Sequence, residues 1–209
     1  MTIHLHKNDL PDDVDFGTAV AIDTETQGLS LVRDKLCLVQ LSAGDGDAHI
    51  VQMDRDRYEA PNLKALLTNK DCTKIFHFAR FDVAIMQRDL GVETVGLFCT
   101  KIASGLVRTY TDRHGLKELT KELLGVDLSK QQQSSDWAAD ELTPAQLEYA
   151  ASDVLYLHQL RTILTARLIR EKRLEIAQSC FDFINTRCAL DRLGWGEVDI
   201  FSHRMRRRD

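Results

Sequence analysis

No apolar run in the sequence approaches the ~18 residues that a bilayer span requires, and Met1 to Lys7 lacks the apolar segment of a signal peptide. A cytoplasmic protein with no membrane partner is expected. The five cysteines, Cys37, Cys72, Cys99, Cys180 and Cys188, form no C-x-x-C pair and no even set. That excludes a disulfide framework and a structural zinc, and it fits buried thiols in a reducing compartment. An excess of basic charge is also missing: 27 Lys and Arg against 32 Asp and Glu leave a net charge of -5. A general binder of long duplexes usually carries the opposite balance. A small nucleic-acid substrate held by a local basic patch and metals stays open. There are no repeats, no linker, and no low-complexity tract beyond the glutamine triplet at Gln131 to Gln133. One domain is expected over 1–209, with its core at about 3–170 and a C-terminal helix and tail over 171–209.

The chain begins as strands and continues as strands alternating with helices. Ile3 to His6 alternates in polarity and is a candidate short first strand, and Ala19 to Thr26 is the next. Leu36 to Ser42 is apolar on both faces and reads as an interior strand. Ala43-Gly-Asp-Gly-Asp47 is a hairpin signal leading into Ala48 to Met53. Short connections make these last three an antiparallel meander. Helices are then expected at Asn62 to Leu67, Ala79 to Leu90, Lys101 to Arg108 and Leu116 to Leu124, with strands at Lys74 to His77 and Leu97 to Cys99. Crossovers imply parallel pairing, so the sheet is predicted to be mixed and five-stranded, flanked by helices in an α/β fold. Ser129 to Asp136 reads as a polar loop. One long helix is expected from Pro144 to about Arg170, capped by Thr143, and another over about Glu175 to Leu193. The tail Arg204 to Arg208 is basic.

Several carboxylates occupy unusual positions. In a strand, side chains alternate between faces, so Asp23 and Glu25 share a face with the small Ala19 and Ala21. Paired negative charge beside open space suits a divalent cation; the plain alternative is an edge strand whose acids face water. Asp82 lies within the apolar arc of Phe78, Ala79, Val83, Ile85, Met86 and Leu90. There an ionised group costs several kcal/mol unless it is paired. A salt bridge to Arg80 or Arg88 is the alternative to a catalytic role. Tyr149 and Asp153 stand one helical turn apart on one face. Four carboxylates on three separate elements can converge on two divalent ions of the kind that promote phosphoryl displacement, with the phenol positioning or deprotonating a water.

The order D-x-E, D, Y-x-x-x-D resembles the DEDD 3′-5′ exonucleases, in the subgroup with a tyrosine in its third motif to which ribonuclease D belongs. The resemblance rests on Asp23-Thr-Glu25, His77-Phe-Ala-Arg-Phe-Asp82, Tyr149-Ala-Ala-Ser-Asp153, and Lys130 to Trp137, which is similar to a segment preceding the third motif. Phe98 to Ser104, Arg108 to Lys117 and Leu193 to Phe201 resemble, more narrowly, the nanoRNase C group of alphaproteobacteria. The resemblance implies a ribonuclease H-like fold and 3′-to-5′ removal of nucleotides. It also implies a preference for short single-stranded RNA, above all dinucleotides, and a ring-shaped homo-oligomer, an octamer. It makes Asp23, Glu25, Asp82 and Asp153 ligands of two Mg²⁺ or Mn²⁺ ions, with Asp23 bridging, and Tyr149 the residue that orients water. Two departures from ribonuclease D stand out. Cys99 replaces an acid, and the sequence is expected to lack the helical RNA-binding domains that follow in ribonuclease D.

Asp23-x-Glu25-x-x-Gly28-Leu29 also resembles oligoribonuclease, which implies that Leu29 wedges between the two bases of a dinucleotide; packing into its own turn is the alternative. Thr24, His77 and Phe78 are expected at the site wall. A cationic cap on a 5′-phosphate could come from Arg108, Arg113, His114 and Lys117, or from the segment that starts at Lys130. Trp137 is a candidate for base stacking or for core packing. Besides short RNA, DNA remains a possible substrate. Two rival readings are the same chemistry on longer RNA or DNA, as in 3′-end trimming, and a non-catalytic nucleic-acid-binding scaffold.

Overall fold

The computed structural model describes residues 1–129, 131–132 and 134–203. Lys130 and the basic tail Arg204 to Arg208, both singled out in the sequence, lie outside the described residues.

Six strands form one mixed sheet: β1 (Ile3–Lys7), β2 (Ala19–Thr26), β3 (Leu36–Ser42), β4 (Ala48–Gln52), β5 (Thr73–Phe76) and β6 (Leu97–Cys99), in the order β1-β4-β3-β2-β5-β6. The meander β2-β3-β4 is antiparallel, while β5 joins β2 and β6 joins β5 in parallel. The expected five strands become six because Ile3–Lys7 finds a full partner. It runs parallel to β4 with Ile3 opposite Ala48 and Lys7 opposite Gln52, and so forms the sheet edge. β3 is buried along its whole length, as an interior strand with both faces covered must be.

Eight helices are described: α1 (Pro61–Thr68), α2 (Ala79–Asp89), α3 (Thr100–Val107), α4 (Leu116–Leu124), α5 (Pro144–Leu155), α6 (Leu157–Arg170), α7 (Leu174–Asp182) and α8 (Ile184–Leu190). The long helix expected from Pro144 to Arg170 is broken at Tyr156, whose φ of -101° and ψ of -5° lie off helical values. The two halves have different neighbours: α5 lies over β2, β3 and β4, whereas α6 packs on α3 and α4. A straight rod could not serve both. The expected helix from Glu175 to Leu193 likewise divides at Phe183, and its last turn gives way to a bend in which Gly194 has φ +94°.

Two fastenings fix the places of α2 and α5. Arg80 on α2 pairs with Asp191 at 2.6 Å and donates to the Gly196 carbonyl at 2.8 Å, tying α2 to the C-terminal segment. At the start of α5, Thr143 and Gln146 form a reciprocal capping box: the Gln146 N–H donates to Thr143 Oγ1 at 3.3 Å and the Thr143 N–H to Gln146 Oε1 at 2.9 Å. Gln146 Nε2 also donates to the Asp136 carbonyl at 3.1 Å, so the cap anchors the preceding loop as well. Among the described residues, no helix is long and apolar enough to cross a membrane.

Loss of this cap should be felt through the whole of α5. Thr143→Ala is expected to lower stability by about 1 kcal/mol, a fall in Tm of roughly 2–4 °C for a chain of this size. Thermal scans would check it, and an unchanged Tm would show that the capping box adds nothing.

Candidate active site

The C-terminal half of β2 carries Asp23 and Glu25 on the face covered by α5, which brings Tyr149 and Asp153 over them. Carboxylate oxygens of Asp23, Glu25 and Asp153 lie within 4.8 Å of one another, the spacing of a shared cation. Thr24, between the two strand acids, points to the opposite face. There its hydroxyl donates to Asp82 Oδ1 of α2 at 2.6 Å. Asp82 is only 3% exposed. It pairs with neither basic neighbour: Arg80 is engaged by Asp191, and Arg88 by Asp89 and by the carbonyls of Leu31 and Asp34. Asp82 therefore reaches the cleft from the α2 side, held by Thr24, while the other three acids meet on the α5 side. Thr24, expected at the site wall, lines the cleft but commits its hydroxyl to Asp82.

These acids charge one another unfavourably. Burial, followed by the charges of Asp82, Asp153 and Glu25, raises the Asp23 carboxyl well above its ordinary range. Burial and the charges of Asp153 and Asp82 push Glu25 up to about 9. Burial raises Asp82 to about 7, against the Thr24 hydrogen bonds. Asp153 also rises to about 7, through burial and the charge of Asp82, with a hydrogen bond from Tyr149 opposing. The Tyr149 phenol is shifted far upward by burial and by Asp153. The uncharged phenol can donate to Asp153 and orient a water. An all-oxygen donor set under this strain fits hard divalent cations such as Mg²⁺ or Mn²⁺.

The acids line a cleft of about 380 Å³ whose wall also includes Leu29, His77, Phe78, Lys101, Lys117 and Ser129. The β5–α2 connection is only two residues long, and Phe78 makes the turn with φ +71°, a conformation uncommon outside glycine. Its ring is part-exposed in the cleft, with Lys101 Nζ 4.2 Å from the ring centroid. His77 Nδ1 lies 2.9 Å from Thr100 Oγ1, and burial, with Lys101 nearby, lowers the imidazole to about 3, so it is neutral at physiological pH. Leu29 is 85% exposed, so it does not pack into its own turn. The turn itself is braced. A Cβ at Gly28 would collide with the Asp34 carboxylate, which accepts from the Ser30 N–H at 2.9 Å, and Arg88 holds the Leu31 and Asp34 carbonyls at 2.7 Å each.

Other expected contacts are placed elsewhere. Arg108 is 1% exposed; it bonds Glu122, Ser104 Oγ at 2.9 Å and the Arg113 carbonyl at 2.7 Å. It fastens a loop rather than capping a phosphate. His114 Nδ1 lies 2.9 Å from Ser104 Oγ, and Arg113 is exposed outside the cleft lining. Of that basic cluster only Lys117 lines the cleft, paired with Asp127 at 3.2 Å. Trp137 is 2% exposed and packs with Cys37, Leu38, Ile50 and Ala150, its ring 5.9 Å from that of Tyr149. In that position it backs the tyrosine and offers no face to a base. Lys101, which the sequence does not single out, lines the cleft. Its only signal is a cation in the first turn of the helix that follows the last strand.

The 3′-5′ exonuclease family matches residues 7–169. Ribonuclease D of Acidiphilium cryptum is 35% identical over 156 residues, which are 75% of this chain and 39% of that protein. The chain thus spans less than half the length of the curated relatives it matches. Among solved structures, Brucella melitensis NrnC with bound Mg²⁺ superposes with a TM-score of 0.93 at 55% identity, covering 98% of this chain and 100% of that one. Brucella melitensis NrnC bound to pGG gives 0.94 at 56%, with the same coverage.

The raised carboxyls make a linked prediction. Folded-state values above the unfolded ones mean that the folded protein binds protons more tightly. The stability they contribute is complete below about pH 4, the unfolded carboxyl range, and is lost as pH rises through 7 towards 9. Metal-free protein should therefore lose Tm over that interval, and saturating Mg²⁺ should restore it at the alkaline end, where a cation replaces the missing protons. Equal scans with and without Mg²⁺ at about pH 8 would contradict a metal site among these acids.

Proposed function

The chain belongs to the 3′-5′ exonuclease family, and from that premise we propose that it hydrolyses dinucleotides and very short RNA to nucleoside 5′-monophosphates. The observation that carries the reading is the meeting of Asp23, Glu25 and Asp153 within 4.8 Å, in a cleft that Asp82 enters from the opposite side and Leu29 borders. Two divalent ions, Mg²⁺ or Mn²⁺, held by these four carboxylates, would supply Lewis-acid stabilisation of the charge that builds on the attacked phosphate. Tyr149, protonated and hydrogen-bonded to Asp153, orients the attacking water with its remaining lone pair. The water oxygen bonds to phosphorus as the bond from phosphorus to the 3′-oxygen of the preceding nucleotide breaks; the water gives up one proton, the departing 3′-oxygen takes up one to become a hydroxyl, and the terminal nucleotide departs as its 5′-monophosphate.

The preference for short substrates is supported by the shape of the wall. Leu29 presents an apolar side chain beside the acids, where it can lie against base faces without reading sequence. Phe78 offers a ring to the same cleft, on a left-handed backbone and with the Lys101 ammonium 4.2 Å from its centroid. Lys101 and Lys117, the latter also paired with Asp127, are the lysines among the described lining residues that would meet substrate phosphates. The likeness to NrnC, solved with pGG, points the same way.

A time course on a 5′-labelled dinucleotide and a heptanucleotide with Mg²⁺ tests the proposal. The dinucleotide should be consumed faster, and Asp23→Ala should lower its turnover at least about a thousandfold. Equal rates on both lengths would favour trimming of longer RNA, and a wild type as inert as Asp23→Ala would favour a non-catalytic scaffold. In the same assay Leu29→Ala should raise KM for the dinucleotide roughly tenfold, the effect of losing one base-stacking contact. A change confined to kcat would remove Leu29 from substrate binding.

A further inference from the structure

Gln40 stands in the middle of β3, the most deeply buried strand of the sheet, with no exposure to solvent. Its antiparallel partner on β2 is Asp23, and its partner on β4 is Ile50. Residues directly opposite each other in a sheet share a face. The Gln40 side chain therefore lies beside that of Asp23, on the face covered by α5 with Tyr149 and Asp153. Both polar atoms of its amide, Oε1 and Nε2, lack a hydrogen-bond partner among the described residues.

A fully buried amide with neither end satisfied is rare, and each instance calls for a physical reason. Packing does not supply one, because leucine or methionine would fill the same space without stranding a donor and an acceptor. A carboxylate that turns some of its lone pairs to a cation still has others to satisfy, and ligand carboxylates are usually steadied by hydrogen bonds from behind. The register puts an amide next to Asp23 on the side of β3, away from Asp82 and the α2 face. We propose that Gln40 is a positioning residue of the carboxylate centre, its Nε2 donating to the Asp23 carboxylate when that group binds a divalent ion. The proposal rests on the reading of this cleft as a metal-dependent hydrolytic centre and assigns Gln40 a role that the motif residues do not include. Its effect runs through Asp23: it sets the direction of the carboxylate and so the affinity of the site, without touching substrate.

The test is Mn²⁺ binding by titration calorimetry without substrate, on the wild type and on Gln40→Leu and Gln40→Met, with Tm measured alongside. Loss of such a supporting hydrogen bond should weaken Mn²⁺ binding about 10–100-fold, while the metal-free Tm stays level or rises because the stranded amide is gone. A merely structural glutamine would instead move Tm and leave affinity alone. Variants that bind Mn²⁺ within about twofold of the wild type overturn the proposal. Should neither variant fold, a crystal structure of the wild-type Mn²⁺ complex decides. Gln40 Nε2 within about 3.2 Å of an Asp23 oxygen supports the role, and a separation beyond about 4 Å overturns it. A wild type that binds Mn²⁺ but cleaves no dinucleotide would remove the hydrolytic reading and leave the Gln40 result standing.

Discussion

Crowding of negative charge is the constraint on which the rest of the structure depends. Asp23, Glu25 and Asp153 are pressed together with Asp82 close by, and each carboxyl is pushed towards its neutral form. Left free, such side chains would turn outward to water. Each is instead denied that escape by a separate piece of architecture: β2 fixes two of them by strand alternation, the capping box of α5 secures the third, and the Thr24 hydroxyl holds the fourth. The sheet and two of its helices thus act as a clamp on a repulsive arrangement. Hydrophobic burial elsewhere supplies the stability that such an arrangement consumes.

Much of this was legible in the sequence, because the acids sit in patterns with strict periods. Alternation placed Asp23 and Glu25 on one face, and a four-residue helical step stacked Tyr149 on Asp153. Strand β3 and helix α4 begin and end where the apolar pattern and turn residues put them. The break at Tyr156 was not legible, since the apolar stripe of Leu147, Ala150, Val154, Leu157 and Leu164 runs through it without a proline or glycine. What divides the helix is the position of its neighbours, which no local pattern encodes. β1 was visible as a candidate only, because a five-residue edge strand acquires its identity from the partner it meets.

Basic residues were the least readable part of the site. Density of basic residues along the chain points to Arg108, yet its guanidinium turns inward to Glu122, Ser104 and the Arg113 carbonyl. Lys101, isolated in sequence, faces the cleft. A long cationic side chain carries no directional signal in its spacing. Trp137 shows the same limit for aromatics: its burial behind Tyr149 is decided by Leu38, Ile50 and Ala150, which come from three separate elements.

The bracing of the turn after β2 has a mechanical meaning. Helix α2 carries Asp82 near its start, and near its end Arg88, which grips the carbonyls of Leu31 and Asp34 beside Leu29. Six residue steps of helix lead from the acid to the grip, about 9 Å along a stiff rod. The acid and the turn that bears Leu29 are thus both fastened to one helix. The helix acts as a strut: one stiff element links a buried cleft acid to the turn that exposes Leu29.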